Sequence, residues 1–188
     1  RPASGCEHHM SHYWEMMFEQ AGNRPAPHGI QVGVGTVMVL KLVEALRRYP
    51  INFSKAREFA RGYDSSAWED EVRRAYGPAA PGVIEMERTA GKNSVEGHLT
   101  RIDTMETNWD TLLSLLAELP SSNQVMELLR SLEAPCLPSQ IGVDAVMLKN
   151  TFLYCKEVRN RYTILQMTWD LGLLDVLSDE VISSLMKT

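Results

Sequence analysis

Apolar positions recur with a period of about 3.6 residues through most of the chain, the pattern of amphipathic helices. Over residues 5–21, Met10, Tyr13, Trp14, Met17 and Phe18 fall on one face and predict a packed stripe. His8, His12, Glu15 and Glu19 fall on the opposite face at helical spacing. Ser4 with Glu7 fits a capping box, which makes Ser4 the expected N-cap. Gly22-Asn23 ends this helix, and Pro25 and Pro27 delay a restart until His28. The second helix, His28 to Arg48, is apolar nearly all round in its first half (Ile30, Val32, Val34, Val37, Met38, Val39, Leu40). A helix of that kind is central and buried.

Further segments follow in order. A short helix is expected over 54–62, and Asp64 or Ser65 caps another that stops at Gly77-Pro78. A helix over 80–89 precedes the turn-like Ala90-Gly91-Lys92-Asn93, after which Ser94 caps a stretch reaching Met105. Leu112, Leu113, Leu115, Leu116 and Leu119 carry helical spacing from Trp109 to Pro120. Ser121 with Gln124 is a second capping box, opening Val125 to Leu132. Beyond Pro135-Cys136-Leu137-Pro138, helices are expected near 143–158, 161–171 and 178–187. No run alternates apolar and polar residues for long enough to argue for a strand, and no Asn-Gly or Asp-Gly hairpin turn occurs. The expected architecture is a single all-α domain over 1–188, of about eight or nine helices.

Composition narrows this further. At 188 residues, 44% hydrophobic and 23% charged, the chain has the make-up of one globular domain with a sizeable core. A net charge of -5 without a Lys/Arg-rich block disfavours nucleic acid as a partner. Three scattered cysteines (Cys6, Cys136, Cys155) suit reduced thiols and a cytoplasmic location rather than a disulfide framework. No signal peptide is visible, and the apolar tract Val32–Leu40, broken by Gly33, Gly35 and Thr36, is too short to cross a bilayer. The start at Arg1, a few residues before the most informative motif, reads as a piece of something longer.

The chemistry-bearing stretch is His8 to Gly29. Two histidines on one helix and a third delivered by a tight turn can converge on one cation. At the start of its helix, His28 meets the positive end of the helix dipole, which favours the neutral, metal-binding imidazole. The same stripe of two His and two Glu is also what a solvated face looks like, and H-x-x-x-H is a weaker signal than H-E-x-x-H. Gly33 is expected to allow close helix packing, and the thin turns at Gly29, Gly33 and Gly35 could also leave ligand room beside His28. Gly33-Val34-Gly35 lacks the strand and third glycine of a dinucleotide fingerprint, and no P-loop or Gly-x-Ser-x-Gly elbow is present. Lys156, Arg159 and Arg161 read as a solvated basic helix face, His98 as a surface histidine, and the four tryptophans as packing residues.

Residues 1–16, Arg-Pro-Ala-Ser-Gly-Cys-Glu-His-His-Met-Ser-His-Tyr-Trp-Glu-Met, resemble a signature of bacterial sn-glycerol-1-phosphate dehydrogenases. That group belongs with iron-containing alcohol dehydrogenases, glycerol dehydrogenase and dehydroquinate synthase. His28-Gly29 with Val32-Gly33-Val34-Gly35-Thr36 is similar to the family's second metal-ligand turn, and Arg159 to Gly172 resembles its C-terminal helices. The resemblance implies the C-terminal helical domain alone, without the N-terminal Rossmann-like NAD(P) domain. It implies His8 and His28 as ligands of zinc or nickel, with a third ligand, an Asp, outside this chain, and His12 near substrate. His9 points away from His8 and is not expected to ligate. The family's Glu after His-Gly is Ile30 here, which removes one candidate partner for the ligands.

The implied reaction is reversible reduction of dihydroxyacetone phosphate to glycerol 1-phosphate, with the isolated chain inactive. The implied partners are that small phosphorylated substrate and the nucleotide domain, in a homo-oligomer, with an apolar docking surface left exposed. Two other readings stand beside it: a dehydroquinate synthase-like lyase domain, which the Arg1-to-Glu7 segment disfavours, and a non-enzymatic helical interaction module.

Overall fold

The computed structural model describes residues 5–186, so the predicted Ser4 cap lies outside the described residues. Among them are eleven α-helices and no strand, and the all-α expectation holds. They are α1 (Cys6–Gln20), α2 (His28–Arg48), α3 (Phe53–Arg61), α4 (Ser65–Tyr76), α5 (Ala80–Ala90) and α6 (Val95–Thr107). After these come α7 (Trp109–Ala117), α8 (Ser122–Ser131), α9 (Ala145–Tyr154), α10 (Ile164–Asp170) and α11 (Leu174–Leu185). Asp64, Ser94 and Ser121 cap α4, α6 and α8 as their sequence positions predict, the last with both halves of its capping box.

The centre is α2, against which α1, α8 and α11 pack. It is long and apolar enough to span a bilayer, yet 56% of that window is buried inside the protein. Its apolar girth is spent on neighbouring helices rather than lipid. Trp14 and Tyr13 of α1 are fully buried with Met38, Leu42 and Leu46 of α2, Phe152 of α9 and Leu177 of α11. Buried polar tips are matched. Trp14 Nε1 donates to Thr151 Oγ1 at 2.7 Å and Tyr13 OH to the Ala75 carbonyl at 3.1 Å. These bonds fix α1 against α9 and the end of α4, so the helix bearing His8 and His12 has a defined rotation.

Several expectations need correction. His98 is not a surface residue: it is fully buried, stacks on Trp169 at 4.6 Å, and its Nε2 lies 2.9 Å from the Asp170 carbonyl. Lys156 is not on a solvated helix. It sits in a 3₁₀ turn (Cys155–Glu157) after α9, buried beside Glu157 and 4.5 Å over the Trp169 ring. Glu157 also takes Lys92 Nζ at 3.0 Å and Trp68 Nε1 at 3.0 Å, while Lys92 reaches Glu87 at 2.7 Å. Two cations thus offset two carboxylates, the condition under which such charges are buried at all. Burial works to raise the Glu157 pKa, but Lys156 and Lys92 outweigh it and hold it down to about 2. The last helix begins at Leu174, earlier than the 178 expected, and α7 buries none of its residues. Leu115, Leu119, Leu128 and Leu132 are exposed around α7 and α8.

Candidate metal centre

The first turn of α1 is capped at Gly5, one residue later than predicted, and Glu7 Oε1 accepts the Gly5 amide at 3.0 Å. His28 is the first residue of α2, straight after Pro27, which sets the chain direction into the helix. What lets the two helix starts meet is Gly35. A Cβ there would stand 3.0 Å from the Glu7 carbonyl oxygen and 3.3 Å from its Cα. At Gly33, where close packing was expected, a Cβ would meet only the Leu129 side chain at 3.4 Å. The close backbone approach therefore lies at Gly35, two residues further on. At Gly29 an added Cβ would meet nothing within 4 Å, so the space beside His28 is open.

The structure brings His8, His12 and His28 together. Ring centroids are 5.1 Å apart for His8–His28, 5.4 Å for His12–His28 and 6.3 Å for His8–His12. Glu15 lies between two of them: Oε1 is 2.9 Å from His28 Nδ1 and Oε2 is 3.0 Å from His12 Nδ1. A carboxylate only accepts, so each Nδ1 facing it carries a proton, and in the neutral ring Nε2 then presents a lone pair. His28 Nε2 then faces His8 Nδ1 at 3.2 Å. Ser11 Oγ lies 3.0 Å from His28 Nδ1 and donates to Gln31 Oε1 at 3.3 Å, adding a second support behind the ring. Burial acts to raise the Glu15 pKa, but the hydrogen bonds and charges of His12 and His28 prevail and it falls below the usual carboxylate range.

The donor set fits a divalent metal. Two imidazole nitrogens bound at 2.0–2.1 Å in tetrahedral geometry stand about 3.3 Å apart, and His8 Nδ1 and His28 Nε2 stand at 3.2 Å. A second grouping, His12, Glu15 and His28, has ligand atoms within 4.8 Å of one another. That spread is looser, and both Glu15 contacts have hydrogen-bond length. Glu15 is better matched to orienting the imidazoles than to ligation, the carboxylate–histidine–metal arrangement of many metal sites. Sequence reading placed Glu15 on the histidine stripe but gave it no role.

His12 Nε2 lies 3.3 Å from Arg159 Nη2, on the loop between α9 and α10. His9 faces inward, fully buried with neither ring nitrogen hydrogen-bonded. Burial first, then the nearby charges of Lys92, Arg159 and Arg161, keep its pKa at about 4. Burial holds it in the neutral form.

The chain is similar in sequence to glycerol-1-phosphate dehydrogenases [NAD(P)+]. It is 24% identical to that of Geobacillus thermodenitrificans over 164 residues, covering 87% of this chain and 32% of the relative. The Geobacillus stearothermophilus enzyme is 25% identical over the same coverage. The Korarchaeum cryptofilum enzyme is 55% identical over 42 residues, 22% of this chain. The chain spans about a third of the length of the Geobacillus relatives it matches. No protein-family profile matches it, and no solved structure does.

Proposed function

We propose that this chain is the metal- and substrate-binding half of an NAD(P)-dependent glycerol-1-phosphate dehydrogenase, a single helical domain. The observation that carries the reading is the 3.2 Å approach of His8 Nδ1 and His28 Nε2, with Glu15 behind His28. The named relatives supply the reaction class. Nucleotide binding is assigned outside these residues, since the described ones hold no strand for a Rossmann-like sheet. The three cysteines are free and buried, which suits the reducing cytoplasm.

His8 and His28 would hold zinc or nickel, completed by an Asp from outside the chain. Such a metal would polarise the carbonyl oxygen of dihydroxyacetone phosphate or the hydroxyl of glycerol 1-phosphate, with NAD(P)H supplying hydride. Glu15 keeps the Nδ1 proton on His28 and so keeps Nε2 free to ligate. The same carboxylate keeps His12 Nδ1 protonated and turns its Nε2 towards Arg159 and the open side of the site. His12 is thereby placed to accept a hydrogen bond from the substrate hydroxyl, or its proton.

Calorimetric titration of the purified chain with zinc or nickel tests the reading. Saturable binding is expected, abolished by His8→Ala and by His28→Ala and retained by His12→Ala. Binding that survives both ligand substitutions, or no binding by the wild-type chain, overturns the assigned pair. The chain alone is expected to show no NAD(P)H-dependent turnover of dihydroxyacetone phosphate.

A further inference from the structure

Arg159 is placed unlike the other cations near α1. Lys92 is offset by Glu87 and Glu157, and Lys156 by Glu157. Arg101 is clamped on Asp170 through Nε at 2.6 Å and Nη2 at 2.8 Å. Among the described residues no carboxylate lies within 4.0 Å of the Arg159 guanidinium. Its hydrogen-bond partner is a ring nitrogen, His12 Nε2 at 3.3 Å. The residue is exposed, on an irregular loop where the Arg161 amide bonds back to the Arg159 carbonyl at 2.8 Å. A guanidinium without a carboxylate, resting on an imidazole, keeps most of its planar donor fork unused.

Arg159 thus stands beside the histidine cluster as a cation with no carboxylate partner among the described residues, a position an anion would fill.

We infer that Arg159 is the anchor for the phosphate of the substrate. Its guanidinium leaves His12 Nε2 to grip a phosphate dianion, with two parallel N–H donors facing two oxygens. The inference rests on the dehydrogenase reading for the substrate's identity, and the geometry suits it. In a three-carbon phosphate the phosphoryl group lies a few bonds from the carbonyl oxygen. Arg159 touches His12, which stands one ring away from His28. One substrate can therefore reach the metal ligands and Arg159 together, and departure of the guanidinium frees His12 Nε2 for the hydroxyl.

The test needs neither metal nor nucleotide. The purified chain is titrated with inorganic phosphate, with glycerol 1-phosphate and with glycerol, in 0.15 M salt. Heat of binding and the His12 ring signals by nuclear magnetic resonance are followed. Phosphate and glycerol 1-phosphate are expected to bind and shift His12, and glycerol to do neither. Arg159→Ala should weaken phosphate binding about tenfold to a hundredfold, the worth of a charge-assisted pair. Arg159→Lys should restore part of it, since it keeps the charge without the fork. Zinc affinity should be unchanged in both variants. Phosphate bound equally by Arg159→Ala, or not bound by the wild-type chain, overturns the assignment. Loss of zinc binding in His8→Ala and His28→Ala reports on the metal site separately, so either proposal can fail without the other.

Discussion

Gly35→Ala tests whether the approach of two helix backbones sets the metal site. The new Cβ would lie 3.0 Å from the Glu7 carbonyl oxygen and 3.3 Å from Glu7 Cα. Ordinary contact begins about 0.4 Å further out, and neither backbone atom can rotate away, so the first turn of α1 must move. Overpacking of this kind costs about 1–3 kcal/mol, against a helix-propensity gain of about 1 kcal/mol for Ala over Gly. The net loss of stability is then about 0–2 kcal/mol.

The consequence at the site is larger. His8 follows Glu7 directly, so a shift of about 0.4 Å would open the His8–His28 nitrogen distance from 3.2 Å to about 3.6 Å, away from the tetrahedral value of about 3.3 Å. Zinc affinity should fall at least tenfold while the urea midpoint changes little. Gly33→Ala is the control, since its Cβ meets only the end of Leu129 at 3.4 Å. It should keep zinc affinity and gain up to about 1 kcal/mol. Wild-type zinc affinity in Gly35→Ala would falsify the claim that this contact sets the ligand spacing.

Three further substitutions probe the supports. Glu15→Gln should lower zinc affinity by about tenfold to a hundredfold with little change in melting, as loss of a ligand-orienting carboxylate does elsewhere; undiminished affinity in calorimetry would rule that role out. Asp170→Asn, which breaks the buried Arg101 clamp, should cost about 3–5 kcal/mol in urea unfolding, and a cost below about 1 kcal/mol would show the clamp to be dispensable. Glu157→Gln should cost about 3 kcal/mol at pH 7. Because Glu157 titrates near 2 when folded, against an ordinary 4.5, its contribution is present above about 4.5 and lost as pH falls towards 2. The gap between wild type and variant should therefore close between urea series at pH 7, 4 and 3, and a gap independent of pH would sink the argument.

What the sequence made legible was whatever depends on period and local chemistry. The Trp14 face of α1 and the caps at Asp64, Ser94 and Ser121 follow from spacing within a few turns, whereas spacing only allowed His8 and His28 to converge and the family resemblance singled out that pair. The errors came where a distant partner decides. Lys156 and His98 look solvated by residue type, but Glu157, Asp170 and Trp169 are waiting for them in the fold. Gly33 and Gly35 are equivalent on paper, and only the position of Glu7 separates them. Arg159 lies 147 residues from His12, beyond the reach of any periodicity. Glu15 was in view on the correct stripe, yet its role depends on ring orientations that spacing does not encode.

That role links the two halves of the site. Glu15 spends one oxygen on each of two imidazoles, so a single carboxylate decides the tautomer of both His12 and His28. Fixing Nδ1–H on His28 turns its Nε2 towards His8, the side of the proposed metal. Fixing Nδ1–H on His12 turns its Nε2 towards Arg159, the anion side. Substitutions at His28 and Arg159 should each silence one side, whereas Glu15→Gln loosens both rings together. Its zinc affinity should fall, and the phosphate-induced shift of His12 should shrink in the same protein. An unaltered His12 response in Glu15→Gln would mean that the two sides are set independently, by the packing of α1 on α2 alone.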